Sequence, residues 1–116
     1  MTRRTAVVTG GAGFIGSHMV DVLLEAGCSV RVVDNLTGGH LSNLEHLKGN
    51  RDVVFEQVDI RALEPDSSLF AGADWVFHFA GIGDIVPAIE KPIDYMDTNV
   101  QGTVRVLECA RHAAVK

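Results

Sequence analysis

Near the start of the chain a handful of residues have the types and spacing to hold an anion without a cationic side chain. Gly11, Gly13 and Gly16 lie in the stretch VVTGGAGFIG with the spacing G-x-G-x-x-G, and Asp34 closes the run RVVD 18 residues after Gly16. Lacking a Cβ, glycine lets the chain turn sharply and bring backbone N–H groups up to a pyrophosphate. The last glycine of the set lets helix and strand pack closely. A helix opening near Gly13 aims the positive end of its dipole at those phosphates. Asp34 then stands where a carboxylate accepts hydrogen bonds from the adenosine ribose hydroxyls of a dinucleotide. The same carboxylate repels a 2′-phosphate, and the following NLTGGH offers no Lys or Arg to compensate, so NAD is expected over NADP. The plain alternative is a tight turn with Asp34 as a turn residue. Strand, glycines, helix, second strand and acid all in register weigh against it.

Those residues need elements to position them. Short β-rich runs at 5–9 (TAVVT), 29–33 (SVRVV), 52–58 (DVVFEQV) and 74–80 (DWVFHFA) read as strands. Between the first two, Ile15, Met19, Val22, Leu23 and Ala26 recur on one face of a helix, and Gly27 sits where a C-terminal cap glycine belongs. After Pro92 a second stripe, Met96, Val100, Val104, Leu107 and Ala110, predicts a helix to the end of the chain. Segments 41–50 and 65–73 read as short helical or turn connections. Strand, helix, strand, repeated, implies a parallel sheet with right-handed crossovers. The expected fold class is α/β, a Rossmann-type doubly wound parallel sheet of about four strands in order 3-2-1-4, in one domain over 1–116.

Composition narrows the function. The chain has 116 residues and a net charge of −5, with no Lys/Arg cluster to serve nucleic acid or an anionic membrane surface. The opening MTRRTAVVTG carries too short an apolar run for a signal peptide, so a cytoplasmic location is expected. Cys28 and Cys109 show no C-x-x-C or zinc spacing and read as small apolar residues. His40 and His46 flank a loop and short helix with Glu45 but find no further ligand near in sequence, so no metal is expected. His78, inside WVFHFAG, reads as a hydrogen-bonded core or supporting histidine. Asp94 and Asp97 suit a helix N-terminus. Alternating Trp75, Phe77 and Phe79 suggest one face packed on a helix layer.

Read from one residue earlier, TGGAGFIG also gives T-G-x-x-G-x-x-G, with Gly10, Gly13 and Gly16. Together with DNLTGG, VDI, HFAG and NVQGT, it resembles the extended short-chain dehydrogenases/reductases. Within them it is most similar to the nucleotide-sugar epimerases and dehydratases of the UDP-glucose 4-epimerase type. The resemblance runs along essentially the whole chain and implies its amino-terminal, cofactor-binding part, with the substrate domain absent. It implies NAD as cofactor, with the backbone at Gly10, Gly13, Phe14, Ile15 and Gly16 cradling the pyrophosphate. It further implies Asp34 and Asn35 on the adenosine ribose, Asp59 and Ile60 beside the adenine, and Phe79, Ala80 and Gly81 along the dinucleotide. Asn99 matches an asparagine that helps organise the active site. The implied partner is a nucleotide sugar, a UDP-sugar first, in a homo-oligomer.

The family's catalytic Ser or Thr and Tyr-x-x-x-Lys are not matched. The single tyrosine, Tyr95, is followed four residues on by Asn99 and reads as a packing aromatic. The 116 residues are therefore expected to have no turnover of their own, the catalytic residues falling beyond Lys116. A naturally short, non-catalytic dinucleotide-binding or assembly module is the competing reading. In either case WVFHFA would be an uncovered apolar edge strand without a gatekeeper, inviting self-association.

Overall fold

The computed structural model describes residues 3–116. Four strands, β1 (Thr5–Thr9), β2 (Ser29–Asp34), β3 (Val53–Gln57) and β4 (Trp75–His78), lie parallel in the order β3-β2-β1-β4. The expected order therefore holds, with the third and fourth strands shorter at both ends than their apolar runs. The β-branched residues fill the sheet because both of its faces are covered. Ala6, Val8, Val30 and Val32 point to one side, where they meet Val20 and Leu23 of helix α1 (Phe14–Glu25). Val7 and Val33 point to the other, where Ile60, Leu63, Phe70, Val106 and Cys109 close a second core. Both cysteines are buried thiols.

Connections follow local chemistry. Helix α1 joins β1 to β2 and ends at Gly27, whose φ of +86° turns the chain out of the helix as its position predicts. Three stretches of 3-10 helix, Leu41–Leu47 and the single turns Ile60–Ala62 and Ser68–Phe70, join the remaining strands. Asp59 and Ser67 cap the latter two by accepting from the Arg61 and Leu69 backbone N–H groups. Beyond β4 come α2 (Ile85–Glu90), α3 (Pro92–Met96), a π-helical turn (Asp97–Gln101) and α4 (Gly102–His112). Pro92 opens α3 at the position where its missing N–H costs nothing. Asp94 lies in that first turn, while Asp97 lies past it in the π turn. No described helix is long and apolar enough to cross a membrane.

The second helical run turns a different face to the sheet than its apolar stripe predicts, and α1 is rotated from its stripe, keeping Leu23 and Met19 on the core and turning Ile15 and Val22 out. In α1 the buried residues are Gly16, Ser17, Val20 and Leu23, whereas Ile15 and Val22 are exposed. In the second helical run Thr98, Gly102, Val106 and Cys109 are buried, and Met96, Val100, Val104 and Leu107 are exposed. Small residues face inward because these helices sit close on the sheet. A Cβ added at Gly102 would come 2.6 Å from Ile60 Cδ1. On β4, Trp75 and Phe77 pack against the α1 side as expected, but Phe79 lies past the strand end and is 38% exposed.

Candidate functional site

The glycine stretch leaves β1 as a turn that only glycine fits. Gly10 has φ +68°, and a Cβ there would meet Ala80 N at 2.6 Å and the Phe79 carbonyl carbon at 2.7 Å. Its N–H donates to Val33 O at 2.7 Å, and Gly13 N–H donates back to Gly10 O at 3.1 Å. Gly16 packs so closely on this turn that a Cβ would lie 2.8 Å from the Gly10 carbonyl carbon. Gly11 is different, for a Cβ there would strike Val32 Cγ1 at 2.6 Å, inside the core. Gly10, Gly13 and Gly16 are thus the register that builds the turn, and Gly11 serves packing.

Asp34 ends β2 beside that turn and is 7% exposed. Its Oδ2 accepts from Ala12 N–H at 2.9 Å and its Oδ1 from Leu36 N–H at 2.7 Å. The carboxylate is therefore fixed in orientation before any ligand arrives. The following loop folds back over the turn through one carbonyl, Ala12 O, which accepts from His40 N–H at 2.9 Å and Asn43 Nδ2 at 2.8 Å. Gly39 passes under this knot, where a Cβ would lie 2.9 Å from Asp34 Oδ2.

A cleft of about 450 Å³ opens outside the carboxyl ends of the strands, where the order reverses between β1 and β4. Of the residues singled out in the sequence, Gly10, Gly13, Asp34, Asn35, Asp59, Ile60, Phe79, Ala80 and Gly81 line it. Phe14 and Ile15 open α1 with their side chains exposed, and Gly16 is buried beneath the turn; none of the three is on the lining. Their part falls to the backbone, at a helix N-terminus whose Gly13 cap makes no side-chain hydrogen bond. The lining also includes Thr37, Gly38, Gly39, Arg61, Lys91, Asp94 and Thr98, which sequence spacing did not single out as site residues. Only Arg61 carries a local signal, two residues after Asp59.

The electrostatics of this end of the cleft are set by that pair. Arg61 donates from Nη2 to Asp59 Oδ2 at 2.7 Å and from its backbone N–H to Oδ1 at 2.9 Å. The guanidinium holds the Asp59 carboxyl below the usual carboxylate range, and Arg61 is raised in turn. At the opposite wall, Asn99 forms a two-point amide pair with Ile82, accepting from its N–H at 2.7 Å and donating to its carbonyl at 2.8 Å. Asn99 comes from the π turn and pins the loop after β4, Gly81 included. Under the same loop, Thr9 Oγ1 lies 2.5 Å from His78 Nδ1, and His78 Nε2 lies 3.0 Å from Thr103 Oγ1. Burial lowers the His78 pKa. Tyr95 sits in α3, off the cleft lining. His46 Nε2 meets Asp21 Oδ1 at 2.7 Å, and among the described residues no three His, Cys, Asp or Glu gather to hold a metal.

The geometry can hold an extended dianionic ligand with a hydroxyl-bearing group on Asp34 and a planar group beside Asp59. Known proteins resemble the chain over most of its length. A sequence profile described as the NAD dependent epimerase/dehydratase family matches residues 6–116. The chain is 42% identical over 113 residues to UDP-glucose 4-epimerase 2 of Arabidopsis thaliana, covering 90% of this chain and 32% of that protein. Its fold superposes with a TM-score of 0.90 and 28% identity on a UDP-N-acetylglucosamine 4-epimerase from Methanobrevibacter ruminantium in complex with UDP-N-acetylmuramic acid. That match covers all of this chain and 36% of the other. A dTDP-glucose 4,6-dehydratase from Streptomyces venezuelae with NAD bound gives a TM-score of 0.87 at 36% identity, over 96% of this chain and 37% of that one. The chain thus spans about a third of the length of the relatives it matches.

Proposed function

The chain belongs to the NAD dependent epimerase/dehydratase family, and from that premise we propose that it is the NAD-binding portion of a nucleotide-sugar epimerase or dehydratase. One observation carries the reading: the Gly10 turn and the pre-oriented Asp34 carboxylate face one cleft at the reversal of strand order. The lining suits a dinucleotide: glycine at 10 and 39 lets the turn and the following loop pack directly on the Phe79–Ala80 backbone and on Ala12 and Asp34, where a Cβ would clash, so the cleft wall presents backbone. NAD, when bound, supplies a reversible hydride acceptor for a sugar hydroxyl.

The residues of this chain bind and orient. The turn amides and the α1 N-terminus take the pyrophosphate, Asp34 and Asn35 the adenosine ribose, and Asp59 with Ile60 the adenine edge. Asp59 stays ionised under Arg61 and so remains an acceptor for an exocyclic amine. Phe79, Ala80 and Gly81 lie along the dinucleotide, on the wall that Asn99 holds. The sugar-oxidising step needs a base that Tyr95 does not supply, and the 116-residue chain alone turns over no nucleotide sugar. The substrate of the whole enzyme is a nucleotide sugar, a UDP-sugar first. β4 pairs only with β1 among the described residues, and this free edge underlies a homo-oligomeric form of the isolated chain.

Calorimetric titration with NAD and NADP tests the reading. Binding of NAD at least tenfold tighter than NADP is expected, because Asp34 carries no compensating cation. Equal affinity for the two, or none for either, would overturn it.

A further inference from the structure

The hydrogen bonds around His78 admit one arrangement of protons. Thr103 Oγ1 donates its hydrogen to Asn99 O at 2.7 Å, so toward His78 Nε2, 3.0 Å away, it can only accept. Nε2 therefore carries the ring proton and Nδ1 is bare. Thr9 Oγ1 donates to Nδ1, and its lone pairs accept from Phe79 N–H at 3.1 Å and Ala80 N–H at 3.2 Å. Phe79 N–H is shared with Thr9 O at 2.9 Å, so Ala80 N–H is the donor that the hydroxyl alone holds. A second ring proton would set an Nδ1–H against the Thr9 O–H, and the hydroxyl could turn only by giving up its hold on the Phe79–Ala80 peptide. That peptide is the one against which Gly10 packs.

We propose that Thr9, His78 and Thr103 are positioning residues for the dinucleotide. Neutral His78, protonated on Nε2, seats the β4 exit peptide against the Gly10 turn, and protonation of the ring releases it and weakens dinucleotide binding. This rests on the proposed NAD site. The groups facing the ring fit the role. β1 presents Thr9, α4 presents Thr103, and the groove that His78 lines carries the cations Arg111 and Lys116 and, among the described residues, no Asp or Glu. Arg111 is itself paired with Glu108 at 2.6 Å. Burial keeps the folded-state pKa below the ordinary histidine value, so the neutral relay persists at neutral pH and is lost as pH falls through that lowered value.

The test combines a tautomer readout with a pH profile in the full-length protein. Long-range proton–nitrogen correlation of the histidine rings is expected to show His78 in the Nε2–H form. NAD affinity is expected to fall at least tenfold between neutral pH and the region below the ordinary histidine range. His78→Gln, which cannot titrate there, should bind more weakly at neutral pH with a flat profile. Thr9→Ser should keep the parental profile, and Thr9→Val should lose affinity. An Nδ1–H tautomer, or a parental pH slope in His78→Gln, overturns the relay while leaving the NAD site standing. Absence of NAD binding at every pH overturns both. If His78→Gln does not fold, the tautomer and the Thr9 pair decide the matter.

Discussion

Replacing Gly16 by alanine puts the central argument at risk. The added Cβ would press into the carbonyl group of Gly10, 2.8 Å from its carbon and 3.0 Å from Gly11 Cα. Both neighbours are backbone, so no rotamer change relieves the clash; the turn or the helix must move. Overfilling a packed site costs about 1–3 kcal/mol, and alanine returns at most about 1 kcal/mol through helix propensity. Because the obstacle is backbone, the upper part of that range applies, leaving a net loss of about 2 kcal/mol. For a domain of this size that lowers the melting temperature by roughly 6–10 °C. The same shift moves the Gly10 and Gly13 amides, so NAD affinity should fall at least about tenfold. Gly27→Ala is the control: it meets nothing within 4 Å, and its φ of +86° costs about 1–2 kcal/mol in strain alone. That variant should lose stability and keep its affinity. Thermal denaturation and NAD titration of both variants decide the point. A Gly16→Ala protein that melts with the parent and binds NAD equally well would refute the close-approach reading of this glycine.

Other expectations follow from single features. Asp34→Asn leaves one oxygen where two backbone donors, Ala12 N–H and Leu36 N–H, require acceptors. It should cost about 1–3 kcal/mol in urea unfolding and narrow the preference for NAD over NADP. Val76→Lys puts a charge on β4 where Val76 packs against the core below α4, so it should lower stability as well as weaken the self-association expected of the β4 edge, both read by urea unfolding and sedimentation. Gly102→Ala, whose Cβ would meet the buried Ile60 side chain, should destabilise by about 1–2 kcal/mol. Val104→Lys on the exposed face should stay within about 0.5 kcal/mol of the parent. Cys28 and Cys109 are buried, and burial pushes the Cys109 thiol up. Neither should react with a thiol reagent until the protein unfolds, since the thiolate is the nucleophile.

What was legible in the sequence was what the chain encodes locally. The glycine spacing and Asp34 at the end of the second strand sit at fixed offsets from β-rich runs, and parallel strands place such offsets at one end of the sheet; Asp59, after the third strand, was legible only through the family resemblance. The knot at Ala12 O was not legible, because His40 and Asn43 reach it only after the loop has folded back over the turn. Lys91 and Thr98 arrive at the cleft from another layer, with no periodicity linking them to the glycines. His78 was recognisable as a hydrogen-bonded histidine inside a strand. Its partners were not, since Thr9 and Thr103 come from elements 69 and 25 residues away.

The misread face of the second helical run and the partly misread face of α1, where Leu23 and Met19 do meet the core, have a common physical cause. Periodicity finds the more apolar face of a helix, and that face is inward only when bulk is what the interior needs. Here the sheet is already filled by valines, and the helices must come close enough for Gly16 to touch the Gly10 turn and for Gly102 to touch Ile60. Small residues therefore face in, as Gly16 and Ser17 do in α1 and Thr98, Gly102 and Cys109 do in the second run. The π turn at Asp97–Gln101 adds to the error, because its wider winding shifts the phase of residues on either side of it. It also brings Asn99 round to the loop after β4, where its amide pairs with Ile82. The same local irregularity that defeats a 3.6-residue reading of the helix is thus what lets this helix hold the wall of the cleft.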